Sequence, residues 1–219
     1  MLNKFNNLKI ITNPIVNQNL CKLRSKDTDT QGVRLAARAL TRILLYEATK
    51  HLPQTNVEIE TPISKFVTKT VNPDINIIIS PILRAGLIFT DEAVDILPQA
   101  AIRHIGMYRD EKTLKPVWYY NKVPMPVDKP AEDYYVFITD PMLATGNSLL
   151  EAIRLYVEKG IPETNICCVC MISSPEGIEN IFKEFPTITL IVAAVDSHLN
   201  ERGYIVPGMG DAGDRIYNT

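Results

Sequence analysis

No stretch of the 219-residue chain approaches the ~18 apolar residues of a membrane span, and the opening Met1-Leu2-Asn3-Lys4-Phe5-Asn6-Asn7 lacks an apolar core of signal-peptide length. These absences predict a cytoplasmic protein with no membrane partner. Charge of one sign is also missing: 23 basic residues stand against 25 acidic ones, a formal charge of −2. Domains that bind nucleic acid by neutralising phosphates carry a basic excess, so the balance predicts no nucleic-acid partner. Cysteine is scarce, with four in all, and nothing has the paired C-x-x-C spacing of a zinc site. Cys21 stands by itself, while Cys167, Cys168 and Cys170 crowd one strand-like run whose neighbours face opposite ways; they read as buried small hydrophobes. His51, His104 and His198 are scattered, with no Ser or Cys elbow nearby in sequence, which gives a hydrolase triad no support. Neither G-x-x-x-x-G-K-[ST] nor G-x-G-x-x-G occurs, so a nucleoside triphosphatase and a dinucleotide enzyme are equally unsupported.

What is present is ordinary for a globular protein: 46% apolar and 22% charged residues, without repeats or low-complexity tracts. The length predicts one large domain or one domain with an appendage, and the lack of repeats and long linkers a single unit over 1–219. From the middle onward the pattern alternates. Ile75 to Ile79 reads as a buried strand, Leu87 to Leu97 as a helix and Ala101 to Met107 as a strand. After a proline-rich stretch, 116–130, come the strand Tyr134 to Thr139, a helix from Asn147 to Glu158, the strand Ile166 to Ile172, a helix opened by Ser174-Pro175-Glu176, and the strand Ile188 to Val195. Continuous apolar strands separated by helices predict an α/β fold with a mainly parallel central sheet covered on both faces. Upstream, Val33, Ala36, Ala37, Leu40, Leu44 and Ala48 recur at helical spacing behind the possible caps Asp29 and Thr30. Short β-like pieces around Val57 to Ile59 and Phe66 to Val71 complete an N-terminal flank.

In an open α/β sheet ligands bind beyond the carboxyl ends of the strands, and four such places stand out. The first is Asp140-Pro141-Met142-Leu143-Ala144-Thr145-Gly146-Asn147-Ser148, between a strand and a helix. It reads either as a phosphate cradle, with amides at a helix start and hydroxyls from Thr145 and Ser148, or as an ordinary turn capped by Thr145 or Asn147. The second is Ser80 to Gly86, where Arg84 is either a solvated charge or a bidentate ligand for phosphate oxygens. The third, Tyr108-Arg109-Asp110-Glu111-Lys112 followed by the prolines, reads as a hairpin carrying Arg109, either a lid or a packing arm. The fourth, Gly203 to Arg215, combines glycines with Ile205, Val206 and Met209, and fits a backbone-lined pocket for a small planar ligand.

Taken together, Pro81-Ile82-Leu83-Arg84-Ala85-Gly86-Leu87, Ile105 to Asp110, Asp140 to Gly146, Ser174 to Gly177 and Gly203 to Arg215 resemble the uracil phosphoribosyltransferases, a branch of the type I phosphoribosyltransferases. Before residue 75 the likeness is weaker, with Leu23-Arg24-Ser25-Lys26 and Arg34 family-like. Pro141 is telling, because most of the superfamily has a second acidic residue there. The resemblance implies transfer of ribose 5-phosphate from 5-phospho-α-D-ribose 1-diphosphate to N1 of uracil, forming UMP and diphosphate. It implies a type I fold with a flank over about 1–72, a protruding β-hairpin arm over about 108–133 and a C-terminal base-binding hood over about 196–219. The implied catalytic set is Asp140, Arg84, Arg109 and Asp211. Residues 140–148 would hold the 5′-phosphate, Arg84 and Arg109 the diphosphate, and Ile205, Gly210, Asp211 and Ala212 the uracil. Asp211 would face magnesium through substrate and water, with no direct protein ligand. A homodimer or higher homo-oligomer is implied, and GTP activation, found in some relatives, is left open. A non-catalytic nucleotide-sensing or RNA-binding regulator on the same fold is the rival reading, against which the charge balance and the intact residue set weigh. One departure stands out: the family has Gly-Gly before Ser, and this chain has Gly146-Asn147-Ser148. If the second position needs φ > 0, Asn is the least costly replacement.

Overall fold

Capping chemistry sets the first helix starts. The computed structural model describes residues 4–109, 116–121, 123 and 129–219, and only the backbone of Arg109, Pro116 and Asn121. After β1 (Leu8–Ile10), α1 (Pro14–Arg24) begins where the Asn13 side chain accepts from the Val16 amide and Pro14 supplies a preset φ. α2 (Thr30–Ala48) begins at Asp29, whose carboxylate accepts from the Gly32 amide at 2.7 Å, and the apolar stripe expected from the sequence is buried along its whole length. A 3-10 turn at Thr49–His51 leads into an antiparallel hairpin of β2 (Gln54–Glu60) and β3 (Lys65–Val71).

The sheet follows. In chain order it comprises β1 and then β4 (Asn76–Leu83), β5 (Ala101–Ile102), β6 (Ile105–Arg109), β7 (Pro116–Asn121), β8 (Tyr134–Thr139), β9 (Met142–Leu143), β10 (Ile166–Ser173) and β11 (Thr189–Val195). A 3-10 turn (Ala85–Phe89) and α3 (Thr90–Ile96) follow β4, α4 (Asn147–Val157) follows β9, and α5 (Pro175–Glu184) follows β10. The chain closes with the two-residue strands β12 (His198–Leu199) and β13 (Ile205–Val206) and with α6 (Ala212–Tyr217). The strand order is β1-β11-β10-β8-β4-β6-β7, with β5 also beside β4 and β9 beside β10. All these neighbours are parallel except β6 and β7, which form the base of the expected arm. The expected tip at 110–115 and the prolines at 124 and 126 lie outside the described residues.

Three expectations need correction: pairing with β8 and β6 carries β4 further than expected, and Pro81 accounts for the second. The strand expected to end at Ile79 continues through Leu83, and the single strand expected over Ala101 to Met107 is two pieces. Ile79 accepts from the Arg103 amide at 2.9 Å, and Pro81, two residues on and therefore facing the same neighbour, has no N–H to give. The neighbouring strand breaks there, at Arg103 and His104. The Ser80 hydroxyl donates to the Arg103 carbonyl at 2.9 Å across the gap. The third correction is the helix expected over Leu87 to Leu97, which opens as a 3-10 turn; within that turn Gly86 packs against the end of β8, where a Cβ would lie 2.6 Å from the Thr139 carbonyl.

Two apolar layers sandwich the sheet. One unites α1, α2, α3 and α6 with Ile77, Ile79, Phe137, Cys167 and Val169; the other unites α4 and α5 with Ile78, Val136, Ile138, Cys168 and Cys170. Cys167 and Cys168 thus face opposite cores, as strand alternation requires. No helix among the described residues is long and apolar enough to cross a membrane. Because β4, β6, β8, β10 and β11 run parallel, their carboxyl ends gather at one edge of the molecule.

Candidate active site

A cleft of about 390 Å³ opens at that edge. Its walls come from the end of β4 with Arg84, the end of β6 with Met107 and Tyr108, the segment from Asp140 to Leu149, and the C-terminal Tyr204, Ile205 and Gly210 to Gly213. Residues from all four places singled out in the sequence therefore meet, although their first and last members are more than a hundred positions apart.

The segment after β8 is bound firmly to the scaffold on one side. Its Pro141 carbonyl accepts from the Met171 and Ile172 amides, its Leu143 carbonyl from the Ser174 amide, and its Ala144 carbonyl from the Ser174 hydroxyl at 2.6 Å. The Thr145 carbonyl accepts from the Asn180 side chain. β10 and α5 thus fix the carbonyls, and the start of α4 borders the cleft. α1, α2, α5 and α6 are each closed by a capping side chain, from Asn13, Asp29, Ser174 and Asp211. α4 has none: its cap is Gly146, at φ 84°. The start of α4 borders the cleft where the helix dipole favours negative charge, an arrangement suited to a phosphate. The Thr145 hydroxyl accepts from the Asn147 amide at 3.5 Å, so the expected turn held by Thr145 is met in part. Asn147 is the first helical residue, and the only non-glycine with positive φ among the described residues is Asn218, so replacing the second glycine by Asn demands no left-handed backbone.

Asp140 lies at the root of this segment. Enclosure beneath the cleft pushes its carboxyl up to about 7, against a smaller opposing effect of the Met142 amide, which donates to it at 3.3 Å. Arg84 is largely exposed, and its guanidinium stands 4.0 Å from Asp214 in the first turn of α6. Asp211 caps α6 by accepting from the Asp214 amide at 3.0 Å.

The expected residues Arg84, Asp140, Met142 to Ser148, Ile205, Gly210, Asp211 and Ala212 all line the cleft. Pro141 does not: it is buried beneath the segment with its carbonyl bound to β10, a supporting position rather than a contact one. Arg109 ends β6 at the same edge, with its side chain outside the described residues. Ser174, expected only to open a helix, and Gly177 also support the segment after β8. Gly177 packs so closely that a Cβ on it would lie 2.3 Å from the Ala144 carbonyl. Cys170, on the cleft floor, was unassigned; only the pairing of β10 with its neighbours brings it there.

Asp140 and Asp211 present carboxylate oxygens, the donor type that hard cations prefer. No group of three or more His, Cys, Asp or Glu residues among the described residues is placed to hold a metal ion. This donor set fits a magnesium ion that takes most of its ligands from a bound diphosphate and water.

The family model for uracil phosphoribosyltransferase matches residues 10–219. A uracil phosphoribosyltransferase of Dictyoglomus thermophilum is 44% identical over 211 residues, covering 96% of this chain and 98% of its own. One from Streptococcus mutans is 44% identical over 211 residues with the same coverage. Among solved structures, the AQ2163 protein from Aquifex aeolicus superposes with a TM-score of 0.86 at 33% identity, covering 96% of this chain and 97% of that one. An APRTase from Giardia lamblia, complexed with 9-deazaadenine, has a TM-score of 0.50 at 17% identity, covering 75% and 81%, a likeness of fold alone.

Proposed function

The chain belongs to the uracil phosphoribosyltransferase family, and from that premise we propose how its cleft performs the reaction. The protein is a transferase of pyrimidine salvage: it moves ribose 5-phosphate from 5-phospho-α-D-ribose 1-diphosphate to N1 of uracil, giving UMP and diphosphate. The observation that carries the site assignment is that the glycine-led start of α4, Arg84 and the C-terminal segment line one cleft.

In this reading the amides of 144–148, with the Thr145 and Ser148 hydroxyls, hold the 5′-phosphate. Asp140 accepts hydrogen bonds from the ribose hydroxyls, and Arg84 and Arg109 hold the diphosphate. Ile205, Gly210, Asp211 and Ala212 present main-chain groups to the uracil edge. Departure of diphosphate leaves positive charge at the anomeric carbon and negative charge on the leaving group, so positioning and electrostatic stabilisation carry the rate, without a protein nucleophile. Arg84 stabilises the leaving charge. A carboxyl poised near 7 ionises readily as the developing cation approaches, which suits Asp140. Magnesium, bound with the diphosphate and reached by Asp211 through water, would supply further neutralisation of the leaving group. We also read the chain as one catalytic domain with an N-terminal flank, an arm and a hood, working as a homodimer or higher homo-oligomer in the cytoplasm.

The test is uracil-dependent release of diphosphate, repeated with cytosine. Cytosine carries an amino donor at position 4 and an unprotonated N3, the inverse of uracil at both places. Main-chain readers cannot exchange donor for acceptor, and buried hydrogen-bonding sites discriminate by roughly 10⁴ or more. Turnover of uracil with cytosine lower by that order is expected; comparable rates would remove the C-terminal segment from base recognition.

A further inference from the structure

We propose that Arg24 and Asp196 are positioning residues for the base, acting together as a clamp that holds the C-terminal hood in its uracil-reading shape. The inference rests on the reading that the hood carries uracil. Arg24 ends α1, and Asp196 directly follows β11. The two meet in a bidentate ion pair, Nη1 to Oδ2 at 2.7 Å and Nη2 to Oδ1 at 2.6 Å. The pair is sheltered, with 24% of the Arg24 side chain and 5% of the Asp196 side chain exposed.

Each partner also grips the same glycine. Arg24 Nη1 donates to the Gly208 carbonyl at 2.9 Å, and the Gly208 amide donates to Asp196 Oδ2 at 2.8 Å. Gly208 has φ 60°, and a Cβ on it would lie 2.2 Å from the Ile205 carbonyl. The clamped residue is therefore folded directly against one of the main-chain groups proposed to read the base. Arg215 ties the hood to the end of α1 a second time: it donates to the carbonyls of Met209, at 3.0 Å, and of Leu23 and Ser25. Neither Arg24 nor Asp196 lines the cleft, so neither acts on substrate itself.

The phosphate segment is held by different groups, from β10 and α5, none of which belongs to the clamp. Loosening the clamp should thus separate the two substrates. Removing one partner leaves a buried charge uncompensated, and the Gly208 bend must move or hydrate to relieve it. Retaining the charge on a shorter-reaching, single-point donor keeps part of the grip but loses the bidentate fork.

The experiment uses the full-length protein with Arg24→Met, Arg24→Lys, Asp196→Asn and Gly208→Ala. It measures KM for each substrate, kcat, calorimetric affinity for phosphoribosyl diphosphate, and amide exchange over residues 205–212. Arg24→Met and Asp196→Asn should raise KM for uracil by roughly tenfold or more, about 1.4 kcal/mol. Affinity for phosphoribosyl diphosphate should stay within about threefold, or some 0.7 kcal/mol. Exchange over the hood should quicken, and Arg24→Lys should fall between wild type and Arg24→Met. A purely structural role would move both substrates together. If Arg24→Met does not fold, the near-isosteric Asp196→Asn and the Lys variant carry the same test. Gly208→Ala raising KM for uracil while the clamp variants leave it unchanged would overturn the clamp and keep the hood reading. Gly208→Ala leaving KM for uracil unchanged would overturn both.

Discussion

Asp140 holds its proton up to about pH 7 in the folded protein because burial disfavours the carboxylate, whereas an unfolded Asp releases it near 4. Across that interval the native state binds more protons than the unfolded one, so this residue makes stability fall as pH rises, and its effect levels off above about 7. Asp140→Asn should remove that slope. Thermal melts of the free protein between about pH 4.5 and 8 should show the variant gaining on wild type as pH rises to 7 and holding its lead beyond. The same variant should lose roughly 10²-fold or more in kcat, as groups facing transition-state charge commonly do. A variant with the wild-type slope would show that the carboxyl is not enclosed as described. Thr145→Val addresses the neighbouring task. Loss of a hydrogen bond to a charged phosphate costs about 1.5–3 kcal/mol, so phosphoribosyl diphosphate affinity should fall by about one to two decades while uracil affinity changes little; titration calorimetry reads both. The place of Asp140 and Thr145 on the cleft was legible because a strand, a short polar turn and a helix start leave a recognisable pattern. The enclosure that shifts Asp140 was not, since it comes from β10 and the floor of the cleft.

At the level of elements, legibility tracks locality. α2, β8, the start of α4 and the Ser174 cap of α5 stand where sequence spacing and capping residues place them. α1 was missed although Asn13 and Pro14 carry its start signal; its apolar face is short, and its value lies in distant contacts. The break between β5 and β6 was missed because it depends on Pro81 in another strand. The support of the phosphate segment by α5 was likewise invisible, being a close approach between segments some thirty residues apart. That approach is testable. Gly177→Ala places a methyl group against the Ala144 carbonyl, which must shift. Overpacking of this kind costs roughly 1–3 kcal/mol, and here the displaced group belongs to the phosphate segment. Phosphoribosyl diphosphate binding should weaken by about tenfold or more, with uracil discrimination over cytosine preserved. Unchanged binding, measured by calorimetry, would mean that the segment tolerates movement and does not act as a rigid cradle.

Across the whole molecule, the hairpin of β2 and β3 exposes Ile59, Ile63, Phe66 and Val67, with Ile63 at 95%. Such a cluster on a projecting hairpin suits burial against a second copy of the chain. Sedimentation velocity should give a dimer or larger species for wild type and a smaller one for the double variant Ile63→Asp, Phe66→Asp; identical profiles would free the hairpin from assembly. The sheet itself joins opposite ends of the chain. β1 pairs with β11, the edge of α1 receives Arg215, and the Arg34 side chain donates to the Ile216 carbonyl at 2.6 Å. Synthesis on the ribosome proceeds from the N-terminus, so α1 and α2 emerge with their final partners unmade, and the phosphate segment is complete well before the hood exists. On the proposed reading, the groups that hold the 5′-phosphate are made before those that read the base, so a ribosome-bound chain is expected to transfer no ribose until residues 205–212 have emerged and packed into the core they share with α1 and α2.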